Sequence, residues 1–456
     1  MTIVSVNPTT GETLETFEQH DDAEIERRLA LSAQAFRDFR RTSFDERAAL
    51  VRAMADVLDA DSEAFSRTIT LEMGKPIAQS RSEVAKSAGV LRFYAEHAAA
   101  MLAEENVTTT AANHGVRLRY EPIGSVLAVM PWNFPFWLVM RFAAPALMAG
   151  DVALLKHASN VPRTALNIED AARRAGFAEG VFQTLLIGSS RVQAVLEDDR
   201  VAAATLTGSE DAGRSVAAIA GRAIKKTVME LGGADPFIVM PSADIGRAVE
   251  IGVWARTHDN GQSCISAKRF IVHEAIADEY EERFAESMSK LVVGDPLDES
   301  THVGPLANAQ ARDTVNEQVA DALAKGATAL CGGEPMDGPG CFVQPTALTG
   351  LNPNMKVWRE EVFGPVASFF RVADIDEAIA VANDSVFGLG SSAWTADKAE
   401  QQRFAEEIEA GMVFINAMTT SCFDLPFGGV KRSGYGRELT AAGIREFTNL
   451  KSVWLD

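Results

Sequence analysis

Apolar positions in the first hundred residues recur at helical spacing. Within DDAEIERRLALSAQAFRDF, Ile25, Leu29, Phe36 and Phe39 share one helical face. Ser43 followed by Glu46 has the spacing of a capping box and opens a second helix carrying Leu50, Met54, Val57 and Leu58. Gly74 and Pro76 punctuate its successor. From Gly115 the pattern changes. VRLRYEPIGSVLAV alternates about a Pro-Ile-Gly turn, which predicts a hairpin. Short apolar runs then alternate with helical stretches: VLAVM, a helix after Pro135, VALLKH, a helix near Ala165, FQTLLI, AAATLTGS, a helix through Val216, and KTVMELG. This is the βαβ rhythm of a doubly wound parallel sheet, so the fold class is α/β. A second α/β series starts near DPFIVM and runs through KRFIVH to about Gly390, and FTNLKSVWL reads as a last strand.

With 456 residues, the chain is long enough for two or three domains with their own cores. Its 43 basic and 63 acidic residues leave a net charge of −20. Such a chain repels phosphate backbones and anionic membranes, so neither nucleic acid nor membrane is expected as a partner. An anionic substrate then requires local positive charge in its pocket. The most apolar region, 123–155, is interrupted by Pro131, Asn133, Pro135, Arg141, Pro145 and Asp151, which opposes a membrane span. The cysteines, Cys264, Cys331, Cys341 and Cys422, are too few and scattered for a disulfide framework. No CxxC or Cys/His cluster suggests zinc, so no metal is expected. MTIVSVNPTTGE has no basic segment leading into an apolar core, and the expected compartment is the cytoplasm.

Four places carry candidate chemistry, each with a plain structural alternative. LTGSEDAGRS sets Gly208 and Gly213 between a strand and a helix, where backbone amides can approach a phosphate. The spacing is not GxGxxG, and Arg214 stands where a P-loop has lysine. A simple strand-to-helix turn is the alternative. Asn133, between two prolines in MPWNFPFW, is either a turn asparagine or a fixed amide donor for a developing oxyanion. Glu230 in VMELGGADP is either a structural acceptor or a general base made accessible by Gly232 and Gly233. Cys264 is either a small buried hydrophobe or a nucleophile. Its neighbours Gly261, Gln262, Ser263 and Ser266 form cores poorly and suit a polar, irregular turn.

In order and spacing these residues resemble the aldehyde dehydrogenase superfamily. The resemblance runs along essentially the whole chain, through PWNFP, LLKHAS, LTGSEDAG, MELGGADPFIV, GQSCISAKRFIV, EEVFGPV and PFGGVKRSGYGRE. LLKHASNVP, RFAAPALMAG and LPFGGVKRSGYGREL are most similar to the bacterial NADP-preferring succinate-semialdehyde dehydrogenases within it. The resemblance implies a Rossmann-type cofactor domain (1–104 and 123–232), an α/β catalytic domain (233–433) and small oligomerisation β-elements (105–122 and 434–456). It implies a homodimer or homotetramer in which the C-terminal strand joins a neighbouring subunit.

The resemblance also implies roles. Cys264 would attack the aldehyde, with Asn133 and the Cys264 N–H holding the oxyanion and Glu230 activating water. Trp132, Lys156, Ser159, Gly208, Ser209, Gly213, Glu361 and Phe363 would form the cofactor site. Many NAD-preferring relatives have a glutamate three residues after the lysine. Here that residue is Ser159, which can donate to a 2′-phosphate, so NADP is the expected cofactor and NAD the alternative. Arg141 would bind a distal carboxylate on the substrate, the alternative being an arginine paired with an internal acid. Some relatives have an arginine six residues before the nucleophile, where His258 stands here. His258 would serve either protonated or as a neutral donor, and Ser421 is a further substrate donor. Ser266 stands where certain relatives carry a second cysteine, so a disulfide switch beside the nucleophile is not expected. The expected reaction is NADP-dependent oxidation of succinate semialdehyde to succinate. Glutarate semialdehyde, broad aliphatic aldehydes and cofactor-free ester hydrolysis are the alternatives.

Overall fold

The computed structural model describes residues 2–108 and 115–455. The helical N-terminal part is preceded by a hairpin that the periodicity did not predict, Thr2–Val6 paired with Thr13–Glu18. Its alternation is short, and only Ile3, Ser5 and Phe17 turn inward. The helices follow as Asp22–Phe39, Phe44–Ala60, Ser62–Met73 and Ile77–Met101. Ser43 and Glu46 form the expected reciprocal capping box, satisfying N–H groups that the helix itself leaves unpaired.

The Pro-Ile-Gly turn is not a hairpin. Strand Gly115–Pro122 lies between Glu105–Val107 and Thr448–Leu455, both antiparallel to it. Strand Ser125–Met130 belongs to a different sheet, between Val152–His157 and Val201–Thr207. The bend is held by Asp151 Oδ1, which accepts from the N–H groups of Ile123 (2.7 Å) and Gly124 (2.9 Å). The two strands have different burial. Gly115–Pro122 alternates exposed and half-buried positions, whereas SVLAVM is almost continuously buried, as an interior parallel strand requires. Residues 109–114 of the expected 105–122 element lie outside the described residues.

Two larger sheets organise the rest. The first, across its width, runs Gly434–Tyr435, Lys226–Glu230, Val201–Thr207, Ser125–Met130, Val152–His157, Phe182–Thr184. All its pairings are parallel except that of Gly434–Tyr435. The second has seven strands, with Pro236–Val239 and Arg269–His273 at its centre and Thr328–Cys331 as an antiparallel edge. Helix Trp137–Ala149 is buried along its whole length against the first sheet and helix Ile77–Met101. The C-terminal strand pairs over eight residues with Gly115–Pro122 of its own chain.

Candidate active site

Cys264 lies in irregular chain between the turn His258–Gly261 and strand Arg269–His273. That chain is fixed from several sides. Asp259 and Asn260 both adopt φ of 56°, and Gly261 follows at 74°. A Cβ on Gly261 would sit 2.4 Å from the Gly364 carbonyl, so glycine is required there. Asn260 bonds through its side chain to Gly74 O, Pro305 O and Gly304 N–H. Lys268 is buried, and its ammonium donates to the carbonyls of Ser263 and Cys264, each at 2.8 Å. Its charge is balanced by Glu361 Oε1 at 3.2 Å.

The sulfur opens into a cavity of about 350 Å³ whose wall includes Asn133, Arg141, His258, Ser421 and Lys86. Cys264 is partly exposed to this space although it lies deep in the protein. Burial pushes its thiol up to about 12, with Arg141 and Lys268 opposing the rise. The Asn133 amide donates one N–H to Gln262 O (2.8 Å), which fixes its direction and leaves the second N–H for another acceptor. Glu230 ends its strand and does not itself line the cavity, but its charge is felt at Cys264. Neither carboxylate oxygen of Glu230 has a hydrogen-bond partner among the described residues. Burial first, and Glu438 second, hold its carboxyl well above the usual range, while Arg141 and Arg437 oppose them. A carboxyl with a raised pKa and free oxygens is suited to taking a proton from water.

Arg141 has an internal acid. Its guanidinium makes an ion pair with Glu438 and lies 4.3 Å from the centroid of the Phe427 ring. Arg141 Nη2 is buried with no hydrogen-bond partner among the described residues. Internal pairing is therefore the geometry found, with the Nη2 donors unused. His258 stacks on Phe134 and meets Trp254 edge-on. Burial, Lys75 and Lys86 push its pKa down to about 3, so only the neutral-donor mode is open to it. All four cysteines are free, and Cys422 does not line the cavity.

The residues expected at the cofactor cluster at the ends of the first sheet's strands and across from them. Lys156 is the penultimate residue of Val152–His157, is buried, and has no ion pair or hydrogen bond through its ammonium among the described residues. Burial lowers its pKa. A buried cation without a partner fits an anionic or polyhydroxyl ligand such as a dinucleotide. Ser159 is exposed in the following turn. Gly208 and Ser209 join Val201–Thr207 to helix Glu210–Arg222, and Ser209 Oγ caps that helix by accepting from Ala212 N–H. Gly213 packs against Leu231, where a Cβ would come within 2.6 Å of the leucine, so its smallness serves helix-to-strand packing. Glu361 accepts from Gly233 N–H at 3.1 Å. The Trp132 and Phe363 rings meet edge-to-face at 5.8 Å.

Sequence reasoning missed Lys86, Lys268 and Glu438. Lys268 had a signal, since it is a charged residue at the entry to the apolar strand that RFIV opens. Lys86 had none, because one lysine on a helix usually marks the solvated face. Among the described residues no group of three or more His, Cys, Asp or Glu could hold a metal ion, and no helix is long and apolar enough to cross a membrane.

A free cysteine, an amide donor and a buried carboxylate in a two-sheet α/β frame define a class. The chain belongs to the aldehyde dehydrogenase family, which it matches over residues 1–453. It is 56% identical over 457 residues to the NADP(+) succinate-semialdehyde dehydrogenase 1 of Mycobacterium ulcerans, covering 100% of both chains. It is 56% identical to the NADP(+) succinate-semialdehyde dehydrogenase of Mycobacterium avium, covering 100% of this chain and 97% of that one. Among solved structures it resembles the succinic semialdehyde dehydrogenase of Streptococcus pyogenes in complex with NADP+. That likeness has a TM-score of 0.97 and 36% identity, covering 99% of each chain. The succinate-semialdehyde dehydrogenase of Burkholderia pseudomallei gives 0.97 and 37%, covering 100% of this chain and 94% of that one.

Proposed function

We propose that this protein oxidises succinate semialdehyde to succinate with NADP. The observation that carries the proposal is one cavity holding Cys264 and Asn133 together with the cations Arg141 and Lys86. The cavity thus joins an acyl-transfer nucleophile to positive charge in a protein of net charge −20.

Cys264 attacks the carbonyl carbon as thiolate, forming the C–S bond of a thiohemiacetal. The developing oxyanion takes the free N–H of Asn133 and the backbone N–H of Cys264, a pair whose loss of one member costs about a hundred- to a thousandfold. NADP, when bound, supplies the acceptor for the hydride that leaves this carbon. Glu230 takes a proton from water, which attacks the resulting thioester; the C–S bond breaks and succinate leaves. Lys156, Ser159, Gly208, Ser209 and Glu361 hold the dinucleotide, with Gly213, Trp132 and Phe363 shaping its site. Arg141 Nη2, Ser421 and neutral His258 are donors to the substrate.

We read 1–104 with 123–232 as the cofactor domain, 233–433 as the catalytic domain, and 105–122 with 434–456 as oligomerisation elements. Leu450 and Val107 are exposed on the outer strands of the three-stranded sheet, and such edges favour pairing with a second copy. A homodimer or homotetramer in the cytoplasm, where thiols stay reduced, fits these edges and the free cysteines. The test is initial rates with succinate semialdehyde and NADP, beside NAD and beside butanal. Preference for the acid and for NADP supports the proposal. Equal turnover of butanal overturns the substrate. Ester turnover without nucleotide favours a hydrolase.

A further inference from the structure

Most cations around the cavity are already balanced. Arg141 has Glu438, Lys75 has Glu83 and Asp259, and Lys268 has Glu361. Lys86 differs. It projects from helix Ile77–Met101 into the cavity wall and has no carboxylate within ion-pair distance among the described residues. Its ammonium lies 4.3 Å from the centroid of the Trp137 ring and donates to Ser421 Oγ at 2.7 Å. That bond leaves two ammonium N–H groups unused. It also occupies a lone pair of Ser421, whose own proton has no acceptor among the described residues and is free for a ligand. His258, where some relatives have a second arginine, brings no charge here.

Resting on the assignment of an acid-bearing aldehyde to Cys264, we propose that Lys86 is the specificity-determining cation. It holds the distal carboxylate jointly with the Ser421 hydroxyl. Arg141 already has an internal counter-ion, so the uncompensated positive charge that a carboxylate seeks is at Lys86.

Burial and Arg141 lower Lys86 to about 8, while Cys422 and Glu83 oppose this. The groups facing it are Glu83 on its own helix, Arg141 on helix Trp137–Ala149, His258 after helix Ile245–Thr257, and Cys422 beside Ser421. His258 stays neutral above pH 5. A lysine with a lowered pKa is charged below it and neutral above. The KM for an acid-bearing aldehyde should therefore rise as pH passes through about 8.

The test compares wild type, Lys86→Met and Lys86→Arg on succinate semialdehyde and butanal with NADP, from pH 6.5 to 9.5. The ratio of kcat/KM for the acid over butanal should fall on the order of ten- to a hundredfold in Lys86→Met. Lys86→Arg should restore part of it. The rise of KM near pH 8 should vanish in Lys86→Met and persist in Cys422→Ser. A ratio unchanged in Lys86→Met, or a pH break that survives it, overturns the proposal. Should Lys86→Met not fold, an acid-over-butanal ratio without a pH break in wild type overturns it equally. Wild type that does not prefer the acid instead overturns the substrate assignment on which the proposal rests.

Discussion

Arg141 and Glu438 form an ion pair inside the protein, with 2% and 6% of their surfaces exposed. Removing one member leaves the other as an uncompensated buried charge, at about 3–5 kcal/mol. Arg141→Ala is therefore expected to lower thermal stability as well as activity toward acids. Arg141→Met combined with Glu438→Gln should recover most of the melting temperature, because no buried charge is stranded. Melting curves beside acid-to-butanal ratios separate the two effects.

Glu438 also raises the pKa of Glu230 through its charge. Glu230 works as a base only when ionised, so deacylation should increase with pH. In Glu438→Gln the repulsion is gone, and the rising limb should move toward lower pH. In Glu230→Gln that limb should disappear and acyl-enzyme should accumulate, visible as one added acyl mass on the intact protein.

The Cys264 thiol, pushed up to about 12 in the free protein, is mostly protonated at neutral pH. A raised thiol pKa means that thiolate grows as pH rises toward it. Alkylation by iodoacetamide should thus be slow at pH 7 and climb without a plateau through pH 10. Cys264→Ser should lose nearly all dehydrogenase activity while keeping the melting temperature close to wild type.

Lys268 ties the carbonyls of Ser263 and Cys264 to Glu361. Lys268→Met leaves Glu361 without its cation and slackens the nucleophile loop. The expected result is a fall in kcat on the order of ten- to a hundredfold, with weaker NADP binding measured by fluorescence titration.

Ser159 is exposed, and under the proposed cofactor site a carboxylate there would repel a 2′-phosphate. Ser159→Glu should shift the kcat/KM ratio of NADP over NAD toward NAD by about tenfold or more. An unchanged ratio would place the 2′-phosphate elsewhere.

Much of this site was legible because its residues are out of character for their surroundings. Asn133 between prolines, Glu230 at a strand end and Cys264 among polar small residues all contradict a simple core. The parallel sheets were legible from runs such as VALLKH and AAATLT, which are mostly apolar without alternation because both faces are covered. Lys86 could not be found this way, since whether a helical lysine faces water or a cavity depends on what packs across from it. The Pro-Ile-Gly bend misled for a related reason. Alternation on one side and a turn beneath it look like a hairpin, and only the pairing partners show two separate sheets. Arg141 was recognisable as a buried charge, but its acid comes from a segment nearly three hundred residues away.

Strand Gly434–Tyr435 lies against Lys226–Glu230, pairing Gly434 with Glu230, and Ser433 bonds to Gly232 O and Leu231 N–H. During synthesis, the strand carrying Glu230 therefore leaves the ribosome some two hundred residues before the strand that closes its edge. Until then that edge is open to the wrong partner. The order of translation thus makes the nascent chain inactive and prone to mispairing until nearly its last segment emerges, so a stop near residue 430 should yield aggregated protein rather than a weakened enzyme.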